Sequence, residues 1–228
     1  VIRALGRAGV DTVATEVAER SESSPGLASN HVASDCILPE WGGPETEWLQ
    51  ALLAAGRPGD VLMPTCFNSL LRVTRHRQSL GGIFRILTPE PDTLLQANDK
   101  WALYDFARAC GVPMPQSHRP DNVSKLAELA DRMPFPVIVK FRHDMDLYLG
   151  PGKRYSLAVA PSSLRDTWER FHAVQPNPIV QQYIPGESYG FEALYDRDHQ
   201  CVASFQHRRL VECPPQGGPS AVCESVRI

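Results

Sequence analysis

The most constraining feature of this sequence is a change of texture near residue 90. Before it, helical and strand patterns alternate; after it, strands follow one another with helices between them. Residues 1–9 read as a helix with Leu5 on its apolar side and Gly9 as its stop, followed by a short strand at 12–14. Trp48, Leu49, Leu52 and Leu53 share one face of a helix over 44–55. Gly56-Arg57-Pro58-Gly59 ends it before a strand at 60–63. A helix over 68–79, Gly81-Gly82 and a strand at 83–87 repeat the pattern. Alternation of this kind predicts a parallel sheet with helices on its faces, a small Rossmann-like α/β domain over residues 1–95. No strand and no methionine precede the opening helix, so the expectation is that the first strand is missing. A Gly-rich dinucleotide turn would then survive only as Gly6 and Gly9. Pro89 and Pro91 mark the boundary.

Residues 96–228 predict an α+β domain. Leu103, Phe106, Ala107 and Cys110 line the apolar face of a helix over 99–110, capped by Asn98 or Asp99 and stopped by Gly111. A shorter helix follows at 123–132. In a strand over 135–142, Val137, Val139 and Phe141 face one way while Ile138 and Lys140 face the other. A second strand at 155–159 precedes a helix with Leu164, Trp168 and Phe171 on one side. A strand at 178–184 and a hairpin of 189–195 with 201–207, turning at 196–199, complete the pattern.

Composition narrows the function classes. The 228 residues carry 23 basic and 26 acidic side chains, a formal net charge of -3, which gives no global attraction to a phosphate polymer, and no local basic patch suggests nucleic acid. No apolar run approaches the roughly 18 residues of a membrane span, and residues 1–17 lack the pattern of a signal peptide, so a cytoplasmic protein is expected. The six cysteines have no C-x-x-C spacing and are expected to be buried, reduced thiols. Cys201, His207, Cys213 and Cys223 have the wrong gaps for a zinc finger.

Several residues suggest chemistry. Lys100 lies in the first turn of its helix, where the dipole disfavours a cation: either an anionic ligand compensates, or Asp99 or Asp105 pairs with it in water. Lys140 stands in the middle of the otherwise apolar strand Val137-Ile138-Val139-Lys140-Phe141, where it either snorkels to water or meets a bound anion. Gly150-Pro151-Gly152-Lys153-Arg154 offers backbone N–H groups beside cations, which suits a loop over phosphates or a plain turn; it is not a Walker A loop. Gln181-Gln182-Tyr183-Ile184-Pro185-Gly186-Glu187 ends a strand at a turn. Its last backbone groups could pair with a flat heterocycle, and Glu187 could accept hydrogen bonds from sugar hydroxyls or stand exposed.

The order of these pieces resembles the ATP-grasp superfamily of carboxylate–amine ligases. The matching segments are Asn98-Asp99-Lys100, Gly111 to Pro115, Phe135 to Lys140 and Gln181 to Glu187. His207-Arg208-Arg209-Leu210 with Pro214 to Ser220 resembles the short carbamoyl-phosphate-synthase-like branch. The resemblance covers residues 96–228, with 1–95 matching the family's preceding domain more loosely. It implies an incomplete ATP-grasp fold with a small ATP-binding subdomain over 115–184, and ATP phosphorylating a carboxylate to an acylphosphate that an amine or similar nucleophile attacks. It further implies phosphate contacts from Lys100 and Lys140, a cofactor contact at Val139, adenine held by Gln181, Gln182, Tyr183 and Ile184, and ribose by Glu187. Gly150, Gly152 and Lys153 would cover the phosphates. Arg208 or Arg209 would clamp the acylphosphate or substrate carboxylate, and Ser220 with Gly217-Gly218 would close over the γ-phosphate.

Two departures stand out: the family often has glutamate where this chain has Gln181, and often places the ribose carboxylate where it has Ser188. The family's magnesium carboxylates fall in a late segment absent before Ile228, so no metal ligand is assigned here and Mg²⁺ ligands are expected beyond it. The implied partners are ATP and small carboxylate and amine substrates, with neither nucleic acid nor membrane, and a homodimer is compatible. Two alternatives stay open: a non-catalytic nucleotide-binding module, and a dinucleotide-dependent oxidoreductase built on the first domain.

Overall fold

A computed structural model describes residues 1–143, 147, 154–196, 198–213 and 218–227. Gly150, Gly152, Lys153, Gly217 and Ile228 therefore lie outside the described residues. The chain divides into two compact units, Val1–Leu94 and Leu95–Ile228.

The first unit runs α1 (Ile2–Arg7), β1 (Val13–Val17), β2 (Ser34–Leu38), α2 (Glu45–Ala55), β3 (Asp60–Leu62), α3 (Phe67–Arg75), α4 (Arg77–Leu80) and β4 (Phe84–Ile86). Its strands pair in parallel, as the alternation predicts, but as two separate ladders, β1 with β2 and β3 with β4, instead of one sheet. Pro64 just after β3 and Pro89 after β4 lack the N–H that a longer ladder needs, which keeps both strands to three residues. Strand β2 has no clear alternation of apolar and polar residues, so nothing in its pattern announces it. The core gathers Trp48 and Leu52 from α2 with Val17, Leu38, Val73, Leu80 and Phe84. Gly56 ends α2 because a Cβ there would come within 2.1 Å of the Phe84 ring.

α5 (Pro91–Asn98) carries the chain into the second unit, which continues with α6 (Lys100–Ala109), β5 (Ser117–His118), α7 (Val123–Ala130), β6 (Val137–Lys140), β7 (Tyr155–Ala158), α8 (Pro161–His172) and β8 (Ile179–Gln182). These strands form an antiparallel sheet in the order β5-β8-β6-β7. One face is closed by α7 and α8. There Val137 and Val139, both 0% exposed, pack with Phe141, Ala158 and Val180 against Leu126, Leu164, Trp168 and Phe171. The period-two reading of β6 is thus realised, and it turns Lys140 to the opposite face. A three-stranded antiparallel sheet, β9 (Tyr189–Tyr195), β10 (Cys201–Glu212) and β11 (Ser220–Val226), completes the unit. Ser220 belongs to a strand instead of the loop its glycine neighbours suggested.

Two expectations are corrected. Helix α6 buries none of its residues fully, and the Leu103 and Phe106 of its supposed core face are 43% and 59% exposed. Its inward side carries Trp101 and Tyr104 instead, because polar ties to β6 set its rotation. The cysteines are not buried: Cys36 is half-buried and the other five are exposed. Among the described residues no helix is long and apolar enough to cross a membrane.

Leu164 is 1% exposed at the centre of the α7–α8–sheet core. Leu164→Ala is expected to cost about 2–5 kcal/mol of unfolding free energy, read from urea denaturation of the second unit's transition.

Candidate functional site

Lys140 is the last residue of β6, on the face away from the hydrophobic core. Its ammonium donates to Tyr104 Oη at 2.6 Å and to Gln181 Oε1 at 2.7 Å, and it lies 5.1 Å from the centre of the Tyr104 ring. Both acceptors are neutral. No carboxylate pairs with Lys140 among the described residues, so its hydrogen bonds hold its position without cancelling its charge. Gln181, 6% exposed, is itself oriented: its Nε2 donates to Ser117 Oγ at 2.7 Å, and Ser117 donates to the Pro115 carbonyl at 2.9 Å. Each donor in this chain meets an acceptor, from ammonium to carboxamide to hydroxyl to carbonyl. The direction fixes which end of the Gln181 amide faces the lysine.

Helix α6 is tied to the end of β6 at two levels. Asp99 caps the helix through the Trp101 and Ala102 N–H groups at 2.9 and 3.2 Å, and pairs with Arg142 at 3.0 Å. The Lys100 N–H donates to the Arg142 carbonyl at 2.8 Å, and one helical turn later Tyr104 receives Lys140. Asp99 and Asp105, the carboxylates that could have paired with Lys100, are engaged by Arg142 and Arg108. Lys100 is therefore a half-buried cation with no carboxylate partner among the described residues, on the same helix flank as Tyr104.

Strand β8 runs out at Gln182, across from Val137 and three residues along β6 from Lys140. Tyr183 N–H donates to the Pro136 carbonyl at 3.3 Å, so Gln182 and Val137 form a non-hydrogen-bonded pair and the Gln182 backbone groups point toward the β5 side. There its N–H takes the Gln116 carbonyl at 2.8 Å, but the Gln116 N–H goes to the Gln182 side chain at 3.4 Å instead of to its carbonyl. The Gln182 carbonyl and the N–H of the exposed Ile184 have no partner among the described residues. An acceptor and a donor two residues apart on a strand end match the edge of a flat heterocycle that carries an amino group beside a ring nitrogen. Gly186, at φ +151, makes the turn that follows.

Other candidate residues are sorted by the sheets. Val139 is fully buried on the core face, where it packs with Val137 against α7 and α8 while Lys140 takes the opposite face. Arg208 and Arg209 are adjacent on β10 and point to opposite faces. Arg208 is held by Glu224 and, at 3.2 Å, by Glu187, and Glu187 also accepts from Tyr189 at 2.9 Å. Arg209 reaches the Gly218 carbonyl at 3.3 Å and Glu212 at 3.6 Å. Burial, then the charge of Glu212 and the neighbouring Tyr183, push the phenol of Tyr155 above its usual value, and Tyr155 is the cross-strand partner of Lys140. Arg209 Nε and Ser220 Oγ are among nine buried side-chain atoms without a hydrogen-bond partner among the described residues.

The structure thus joins Lys140 to Gln181, puts Lys100 one helical turn before Tyr104, leaves Gln182 and Ile184 at the end of β8, and sets Arg208 and Glu187 in a separate ion cluster. Sequence reading missed Tyr104 and Ser117. Tyr104 was signalled only by its i+4 spacing from Lys100, and Ser117 by nothing local.

No family model matches the chain, and no curated protein does. Solved structures do match. The biotin carboxylase domain of Hydrogenobacter thermophilus 2-oxoglutarate carboxylase, solved with MgADP and bicarbonate, aligns at 16% identity with a TM-score of 0.63, over 92% of this chain and 47% of its own. N5-carboxyaminoimidazole ribonucleotide synthetase from Thermus thermophilus aligns at 15% and 0.62, over 91% and 51%. The L-amino acid ligase of Bacillus licheniformis aligns at 14% and 0.61, over 91% and 46%. The fold is that of the ATP-grasp enzymes, and the chain spans about half the length of the structures it matches.

Because Gln181 Nε2 is buried against one acceptor, Ser117→Ala is expected to lower stability by about 1–3 kcal/mol, measured by urea denaturation.

Proposed function

We propose that this chain binds ATP on the Lys140 face of the β5-β8-β6-β7 sheet, as the nucleotide-binding portion of a ligase that activates a carboxylate for attack by an amine or similar nucleophile. The observation that carries the reading is the Lys140 ammonium, oriented by Tyr104 and Gln181 yet not neutralised, on the same sheet whose strand β8 ends in the unused Gln182 carbonyl and Ile184 N–H. The residues present fit a nucleoside triphosphate: the strand end takes the adenine edge, while Lys140 and Lys100 face the phosphates. ATP supplies the phosphoryl group that makes the carboxylate an acylphosphate. The chain's own part is to align the nucleotide and offset the charge on its phosphates. The fold neighbours support this, since those named above are a carboxylase domain, a synthetase and a ligase, one of them with bound MgADP.

Arg209 takes the substrate-side role in this reading, since its guanidinium meets Glu212 and its buried Nε has no hydrogen-bond partner among the described residues; Ser220 is the cross-strand partner of Glu212. Arg208 holds Glu187 in place, and Glu187 reaches a ribose only by exchanging one of its present partners. Among the described residues no three His, Cys, Asp or Glu side chains cluster to hold a metal ion.

Calorimetric titration tests the proposal. ATP without metal is expected to bind the wild-type chain, with affinity reduced at least about tenfold, or 1.4 kcal/mol, in Lys140→Ala. Equal binding by that variant, or no binding by a folded wild-type chain, overturns it.

A further inference from the structure

An open cavity of about 900 Å³ lies against the edge strand β5, between the end of α6 and α7; its lining includes Gln116 and Ser117, which brace Gln182 and Gln181, but not Lys140, Lys100, Gln182 or Ile184 themselves. Its volume falls in the range of small-molecule sites. Its walls carry four cations, Arg108, Arg119, Lys125 and Arg132, against a single carboxylate, Glu128. Trp101, Leu129 and Met133 supply apolar wall between them.

The cations are not locked. Arg108 pairs with Asp105 at 2.7 Å, Lys125 with Asp121 at 2.7 Å and Arg132 with Glu128 at 3.7 Å, all within one helical turn and with side chains more than half exposed. Such surface pairs contribute about 0–1 kcal/mol and yield readily to a better anion. Arg119 has no carboxylate partner among the described residues, and its recorded contact is the Trp101 ring, 5.9 Å from the guanidinium. Burial first, then the charges of Arg108 and Arg132, hold the His118 imidazole below its usual pKa. A cavity with three guanidiniums and an ammonium around an indole suits a ligand that brings several oxyanion charges and a small apolar body.

We infer that this cavity is a second binding site, for a small multivalent oxyanion, separate from the Lys140 face. Guanidinium geometry accepts carboxylate and phosphate alike, so both are tried, with citrate and inorganic pyrophosphate as probes in calorimetric titrations at low salt without metal. At least one probe is expected to bind the wild-type chain and Lys140→Ala with the same affinity. It is expected to bind at least about tenfold more weakly to the Arg119→Gln/Arg132→Gln double variant, and to weaken as salt is raised. Whichever probe binds tighter identifies the headgroup chemistry. Failure of both probes to bind the folded wild-type chain overturns the site. So does unchanged binding in the double variant, whose fold is checked by circular dichroism, and so does binding lost in Lys140→Ala, which would place the anion in the nucleotide site. ATP affinity of the double variant is expected to be unchanged, so failure of this site and failure of the nucleotide reading are distinguishable.

Discussion

A half-buried ammonium must either meet a carboxylate, reach water or be held by neutral acceptors with its charge kept. Lys140 takes the third course, and much of the second unit is arranged around it. Tyr104 and Gln181 take two of its three N–H groups, and Ser117 and Pro115 anchor Gln181 in turn. The rotation of α6 follows from this demand: turning Tyr104 and the Asp99 cap inward leaves Leu103 and Phe106 exposed. A glutamate in place of Gln181 would set a carboxylate against the ammonium and offset its charge locally. The carboxamide leaves that charge uncancelled.

Sheet parity does the sorting. Along β6, alternation commits Val137 and Val139 to the core with α7 and α8, and commits Lys140 to the other face. Along β10, the same alternation separates Arg208, engaged by Glu187 and Glu224, from Arg209, which shares a face with Glu212. Two adjacent arginines that look interchangeable in sequence therefore have different neighbours. The strand end at Gln182 adds unused backbone groups, because the ladder to β6 ends with the Tyr183 N–H on Pro136 and the Gln116 amide turns to a side chain.

How much of this could be read in the sequence follows from the range of each interaction. Local patterns were legible: the apolar stripe of Leu164, Trp168 and Phe171, the alternation through Val137 to Phe141, the Asp99 cap and the hairpin of β9 with β10 all appear where periodicity and turn residues placed them. The exceptional lysine in an apolar strand was legible for the same reason. Contacts between distant segments were not. Nothing near Tyr104 or Ser117 announces a partner 36 or 64 residues away. Periodicity counted Leu103 and Phe106 as core because it registers which residues share a face, and not what that face meets. The parallel pairing of β1 with β2 was concealed by the irregular Ser34–Leu38 segment.

The central claim is that a nucleotide lies on the Lys140 face with its base at the end of β8. A crystal structure of the chain with a non-hydrolysable ATP analogue tests it most directly. The adenine is expected against the Gln182 carbonyl and the Ile184 N–H, with phosphate oxygens at the ammonium groups of Lys140 and Lys100. An analogue bound elsewhere, or a base held without those two backbone groups, would contradict it.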